Sequence, residues 1–213
     1  MTKLMVEFTP LPTGAAGGAV RAGILRGMYR FADRAPTDGG GRSDGAPRRA
    51  TILASGPMWQ AAMAARAMLA EDWGVSADVW SVTSYGELRH EALSIERANR
   101  LHPTAERRVP YVSEALGDDR ASGPVVAVTD YLRAVPDQVA RWVPRPFVSL
   151  GTDGFGRSDT RAALRRFFEV DAAHVVVAVL ASLAQMGEAK TDEVTDAIAA
   201  LGIDTDVADP WAV

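Results

Sequence analysis

Short apolar runs limit the folds open to this chain more than any other feature. They span residues 50–54, 124–129 (PVVAVT) and 147–151. A strand with one wet face alternates apolar and polar residues, whereas a strand covered on both faces reads as a nearly continuous apolar run. Between these runs lie segments with helical spacing. Residues 58–70 repeat Ala and Met at that spacing, begin just after Pro57 and stop at Gly74. Strands separated by helices mean βαβ units and a mostly parallel sheet. The expected fold class is therefore α/β: a three-layer domain with a mostly parallel sheet of about five strands flanked by helices.

The remaining segments fit that frame. Residues 77–82 read as a further strand, with Thr83 or Ser84 as the cap of a helix over 87–93. A separate helix over 95–101 stops before Pro103. An amphipathic helix is expected over 131–142 and another over 160–168. Asp171 should cap a long helix over 174–186, ended by Gly187, and the last helix spans 190–201 with Thr191 as its cap. Residues 1–18 read as an arm, since Pro10, Pro12, Gly14, Gly17 and Gly18 oppose a regular element over most of it. Residues 20–31 read as strand-like or as a short helix. Residues 36–48 (PTDGGGRSDGAPR) are of low complexity and read as a surface loop. The expected organisation is an arm and loop over 1–48 and an α/β domain over 49–213.

Composition narrows the chemistry. The net charge of −4 gives no sign of the concentrated basic face that nucleic acid requires. The absence of cysteine excludes thiolate chemistry and disulfides, and fits a cytoplasmic protein. No apolar run approaches the roughly 20 residues of a membrane span, and the first residues lack the apolar core of a signal peptide. The three histidines, His90, His102 and His174, form no i, i+4 pair with an acid. Asp159 and Asp171 have local explanations as caps. The most unusual segment is the glycine-rich run from Gly151 to Asp159, GTDGFGRSD, between a strand and a helix. Anions dock at such turns in α/β folds, yet its spacing is neither a dinucleotide fingerprint nor a P-loop. A tight structural turn, with Ser158 or Asp159 capping the next helix, explains it more simply.

Several strings resemble the homodimeric-type pyruvate dehydrogenase E1 family. Asp78-Val-Trp-Ser-Val-Thr-Ser-Tyr85 with Glu87-Leu88 resembles its "DVxSVTSxxEL". Glu96-Arg97 and Asn99-Arg-Leu-His-Pro103 resemble "ER…N.LHP", and Arg108-Val-Pro-Tyr-Val112 resembles "RVPYV/I". Val128-Thr-Asp-Tyr131 and Leu150 to Asp159 are similar to "STDY" and "LGTDGFGRSD". Phe168-Glu-Val-Asp171 with Val175 to Ala178 resembles "FEVD…YVVVAAL", and Gly23 to Phe31 resembles "GILRGLYRF". The matches are collinear from about 49 to 210. Residues 5–18 lack the acidic character usual in the family, and the loop 36–48 is longer and richer in glycine.

The resemblance implies a transketolase C-terminal-like domain. In the whole enzyme, thiamine diphosphate and Mg²⁺ decarboxylate pyruvate, and a lipoyl group on the E2 acyltransferase is reductively acetylated. The family's cofactor residues lie in its two thiamine-binding domains, and Met1 falls close to where the family's chain leaves the second of them. No catalytic, cofactor or metal residue is therefore carried over, and the chain is expected to bind no cofactor itself. Expected partners are the thiamine-binding domains of E1, a second E1 protomer and E2, with no nucleic acid and no membrane. The candidate contact residues are His102, Asp130, Tyr131, Gly151, Asp153, Phe155, Arg157 and Asp159. The alternative is a non-catalytic anion-binding or subunit-interaction module.

Overall fold

A computed structural model describes residues 13–33, 47–117 and 122–212; residues 1–12 and 36–46 of the expected arm and loop lie outside them. Its strands are β1 (Met28–Ala32), β2 (Arg48–Ala54), β3 (Val75–Val82), β4 (Val125–Val128) and β5 (Phe147–Leu150). Its helices are α1 (Gly14–Arg26), α2 (Trp59–Trp73), α3 (Tyr85–Leu101), α4 (Tyr111–Leu116), α5 (Ala134–Asp137), α6 (Arg161–Phe167), α7 (Ala172–Gln185) and α8 (Thr191–Ala200). The five-stranded sheet has the order β1-β3-β2-β4-β5. β2 to β5 are parallel, and β1 runs antiparallel along β3 with Met28 opposite Val82. The α/β three-layer expectation holds.

Two cores follow from the pleat of the strands. Ile52, Val79, Val126 and Val128 face α2 and α7, where they meet Ala62, Leu69, Val176 and Leu180. Leu53, Trp80, Val125 and Ala127 face α3 and α4, where they meet Leu88, Ala92, Val112 and Leu116. β2 and β4 bury side chains on both faces, which is why their sequences do not alternate. α7 is the best-anchored helix. Val175, Val176, Val179, Leu180 and Leu183 are fully buried, each worth about 1.5–3 kcal/mol by transfer.

Asp171 caps α7 as expected, accepting the His174 N–H at 3.0 Å. It also meets His174 Nδ1 at 2.7 Å and Arg166 Nη1 at 3.2 Å. Burial works to raise the Asp171 carboxyl. The bonds from the His174 ring and amide, with Arg166, outweigh it and hold the group below its ordinary value.

The stretch Arg161–Gln185 is long and apolar enough by composition to cross a membrane. The absence of any such run, expected from the sequence, therefore does not hold by that measure. The chain breaks there between α6 and α7, with Glu169 at φ 57°, and α7 packs against α2, α8 and the sheet.

Other expectations shift. Residues 87–101 form one helix with the preceding turn, not two, and Ser84 caps it by accepting the Glu87 N–H at 3.1 Å. The helix expected over 131–142 is reduced to α5 and a 3-10 turn at Ala140–Trp142, because Pro136 lacks an N–H and 131–133 are tied to a neighbouring loop. Thr160, not Ser158 or Asp159, caps α6 by accepting the Ala163 N–H at 3.2 Å. Lys190, not Thr191, precedes α8, and its N–H is received by Glu193 at 3.1 Å. The sheet also takes its edge strand, β1, from the segment before residue 49, and α1 precedes it. α4 was not anticipated.

Candidate functional site

The order of the strands locates the site. The chain passes from β2 to β3 on one side, then returns past β2 to β4 and on to β5. Loops leaving β2 and β4 at their carboxyl ends therefore diverge and open a crevice between them, the usual place for a site in such sheets. At its floor Ser55 Oγ donates to Thr129 Oγ1 at 2.7 Å, both residues buried. The Ser55 N–H donates to the Val128 carbonyl at 3.2 Å.

The loops after β4 and β5 are stitched together. The Thr152 N–H donates to the Tyr131 carbonyl at 2.9 Å, and Thr152 Oγ1 to the Asp130 carbonyl at 2.8 Å. Asp153 Oδ1 accepts the Arg133 N–H at 3.0 Å, while Oδ2 lies 3.3 Å from Arg133 Nε. A side chain at Gly151 would place its Cβ 2.7 Å from both Arg133 N and the Tyr131 carbonyl oxygen, so the close approach of the two loops requires glycine there. This packing accounts for the start of the glycine-rich run without a ligand. α6, the helix that follows, has only seven residues.

The outer side of this end is apolar. Phe155 is 85% exposed, Trp211 65%, Tyr131 56% and Leu132 53%. The backbone of Pro210 and Trp211 packs directly on Gly154, which brings the last described residues to the same loop. Arg157 lies over the Phe167 ring, 4.1 Å from its centroid. Asp159 Oδ1 accepts the Thr160 N–H at 2.7 Å.

Of the candidate contact residues, Asp130, Tyr131, Gly151 and Asp153 thus lie on two loops bonded to one another, and Phe155, Arg157 and Asp159 continue along the second loop. His102 does not join them. α3 starts at the carboxyl end of β3 and runs 17 residues, about 25 Å, before His102 ends it at the far end of the sheet.

A cavity of about 500 Å³ lies beneath this loop, and of its walls only Asp130 and the glycine-rich run stood out in the sequence. Pro57, Met58, Asp130, Leu164, Phe168 and Val170 line it, together with Arg161 and Arg165. The available signal was the pair of arginines one turn apart in a helix just after the glycine-rich run. Among the described residues no three His, Asp or Glu side chains converge in a way that could hold a metal ion.

Residues 27–171 match the family model described as the transketolase-like TK C-terminal domain. Similar curated proteins are pyruvate dehydrogenase E1 components. That of Mycobacterium tuberculosis is 51% identical over 166 residues, covering 78% of this chain and 17% of that protein. That of Cupriavidus necator is 42% identical over 207 residues, 97% of this chain and 22% of that protein. That of Escherichia coli K12 is 41% identical over 201 residues, 94% and 21%. The chain spans about a fifth of the length of the curated relatives it matches. A solved structure, described as a split gene transketolase, inactive beta4 tetramer, aligns with a TM-score of 0.40 and 22% identity over 75% of this chain and 42% of that one.

Proposed function

The chain belongs to the family of transketolase-like TK C-terminal domains, and we propose that it serves as that part of a pyruvate dehydrogenase E1 assembly. Its role there is contact with other parts of the assembly, not chemistry. The observation that carries this reading is the exposed apolar surface at the carboxyl ends of the strands. Phe155, Trp211, Tyr131 and Leu132 stand out to solvent on loops that are otherwise tightly bonded. Rigid loops presenting large apolar side chains suit a preformed interface.

In this reading the partners are the thiamine-binding domains of E1, with a second E1 protomer completing the enzyme and E2 receiving the acetyl group. Thiamine diphosphate and Mg²⁺ would be held by those other domains. Among the described residues no group of three His, Asp or Glu side chains could hold the metal ion. No step of the reaction is therefore assigned to a residue here. A cytoplasmic setting belongs to the same proposal.

The test is reconstitution. The chain alone should give no thiamine-dependent release of CO₂ from pyruvate. Mixed with a protein carrying the E1 thiamine-binding domains, it should co-elute and restore turnover. Phe155→Glu together with Trp211→Glu should abolish co-elution while leaving the chain folded by circular dichroism. Turnover by the isolated chain, or co-elution untouched by the double variant, would overturn the reading.

A further inference from the structure

The cavity beneath the glycine-rich loop is used neither by the interface reading nor by the folding of its walls. It lies on the α2 side of the sheet, at the switch between β2 and β4, while Phe155 faces outward from the loop above it. Its volume of about 500 Å³ falls in the range of small-molecule sites. Its inner surface is apolar, formed by Met58, Leu164, Phe168 and Val170. Its charges come from Arg161 and Arg165 on α6 and from Asp130 after β4.

Electrostatics narrow the class of ligand. Arg161 and Arg165 stand one helical turn apart, where like charges repel. Among the described residues neither takes part in an ion pair, whereas the adjacent Arg166 bonds Asp171 and the carbonyls of Leu201 and Gly202. Burial first, and then the like charge of Arg161, push the Arg165 guanidinium below its ordinary value, with Asp130 acting the other way. Among the described residues Arg165 otherwise reaches only the Pro57 carbonyl, at 3.4 Å. Two guanidiniums against one carboxylate leave the cavity with excess positive charge beside an apolar floor.

We propose that this cavity binds a small organic anion, a carboxylate or phosphate ester on an apolar body. The apolar part fills the space against Met58, Leu164 and Phe168. The anionic group bridges Arg161 and Arg165 at the rim, relieving their mutual repulsion with charge-assisted hydrogen bonds. Asp130, which also lines the cavity and acts on Arg165, disfavours a second negative charge beside it.

Isothermal titration of the whole chain tests this with four probes: 4-phenylbutyrate, phenyl phosphate, 4-phenylbutanol and inorganic phosphate. Both aromatic anions should bind at least tenfold more tightly than the alcohol and than inorganic phosphate. A preference between the two names the ligand's head group. Arg161→Gln with Arg165→Gln should weaken the anions at least tenfold, and Arg89→Gln, on exposed α3 surface, should leave them unchanged. Asp130→Asn removes the one adverse charge and should tighten binding several-fold. The proposal is overturned if the alcohol binds as well as the anions, if no probe binds, if the double arginine variant keeps full affinity, or if Asp130→Asn weakens binding. These titrations need no partner, so their failure is separate from any failure of reconstitution.

Discussion

At the amino ends of the strands two arginines tie neighbouring segments together. Arg48, at the start of β2, donates to Glu193 of α8 at 2.5 Å and to the Trp73 carbonyl at the end of α2. Arg145, just before β5, donates to Thr51 Oγ1 at 3.1 Å and to the Gly123 carbonyl at 3.2 Å. At the carboxyl ends Arg157 rests on an aromatic ring, and Arg161 and Arg165 are in no ion pair among the described residues. The first end ties strands to helices. The second is held together by bonds between loops, the Arg133–Asp153 pair among them, and leaves large apolar side chains facing outward. A βαβ sheet closes at one end and works at the other, and the contrast identifies which end is which.

The largest expected effect breaks the closed end. Gly123 has φ +87°, and a Cβ there would lie 1.7 Å from the Arg49 carbonyl oxygen. Left-handed strain and overpacking together make Gly123→Ala cost about 3 kcal/mol, read as a lower urea midpoint. Next is Arg48→Met. It strands Glu193, whose carboxyl burial would raise but which Arg48 and the Lys190 N–H hold below its ordinary value. Removing one partner of a fully buried pair costs more, but Glu193 is about one-third exposed, so about 2 kcal/mol is expected. Glu193→Gln combined with it should add less than the two single changes summed.

The third effect is on pH. The Asp171 carboxyl is held below its unfolded value, so its contribution is fully present above that unfolded value, about pH 4. It is lost as pH falls through the lower folded pKa. Asp171→Asn should cost about 1 kcal/mol at neutral pH, because the bonds from His174 and Arg166 lose their charged acceptor while the cap itself is kept. It should also flatten the acid limb of a stability–pH curve; an unchanged limb would mean Asp171 carries none of it. The smallest effect is at the open end. Phe155→Ser and Arg161→Gln should each move the stability of the chain by less than about 0.5 kcal/mol. A loss near that of Arg48→Met would show the open end to be structural after all.

Much of the fold was legible because its signals are local. The apolar runs became β2, β4 and β5 within a residue or two, and Asp171 was read correctly as a cap because its partner is three residues away. The misreadings arise where distant contacts decide. Residues 28–32 are a strand because β3 offers an edge. Pro136 and the bonds from Thr152 and Asp153 leave little of the helix expected over 131–142. Most of the candidate contact residues do share one end of the sheet. His102 was grouped with them by motif, and the length of α3 carries it away. Arg161 and Arg165 passed unnoticed because a pair of arginines on a short helix is ordinary until a cavity lies beneath it.

The sequence by itself determined the alternation of strands and helices, the doubly covered sheet and the family. Apolar periodicity, caps and collinear motifs are properties of neighbours along the chain. Tertiary structure alone decided that β2 and β4 part at a switch point, that Gly151 admits no side chain, and that Arg161 and Arg165 overlook an apolar cavity beside Asp130. Each of these depends on which segments meet in space, and pairing between distant segments leaves no mark on local spacing.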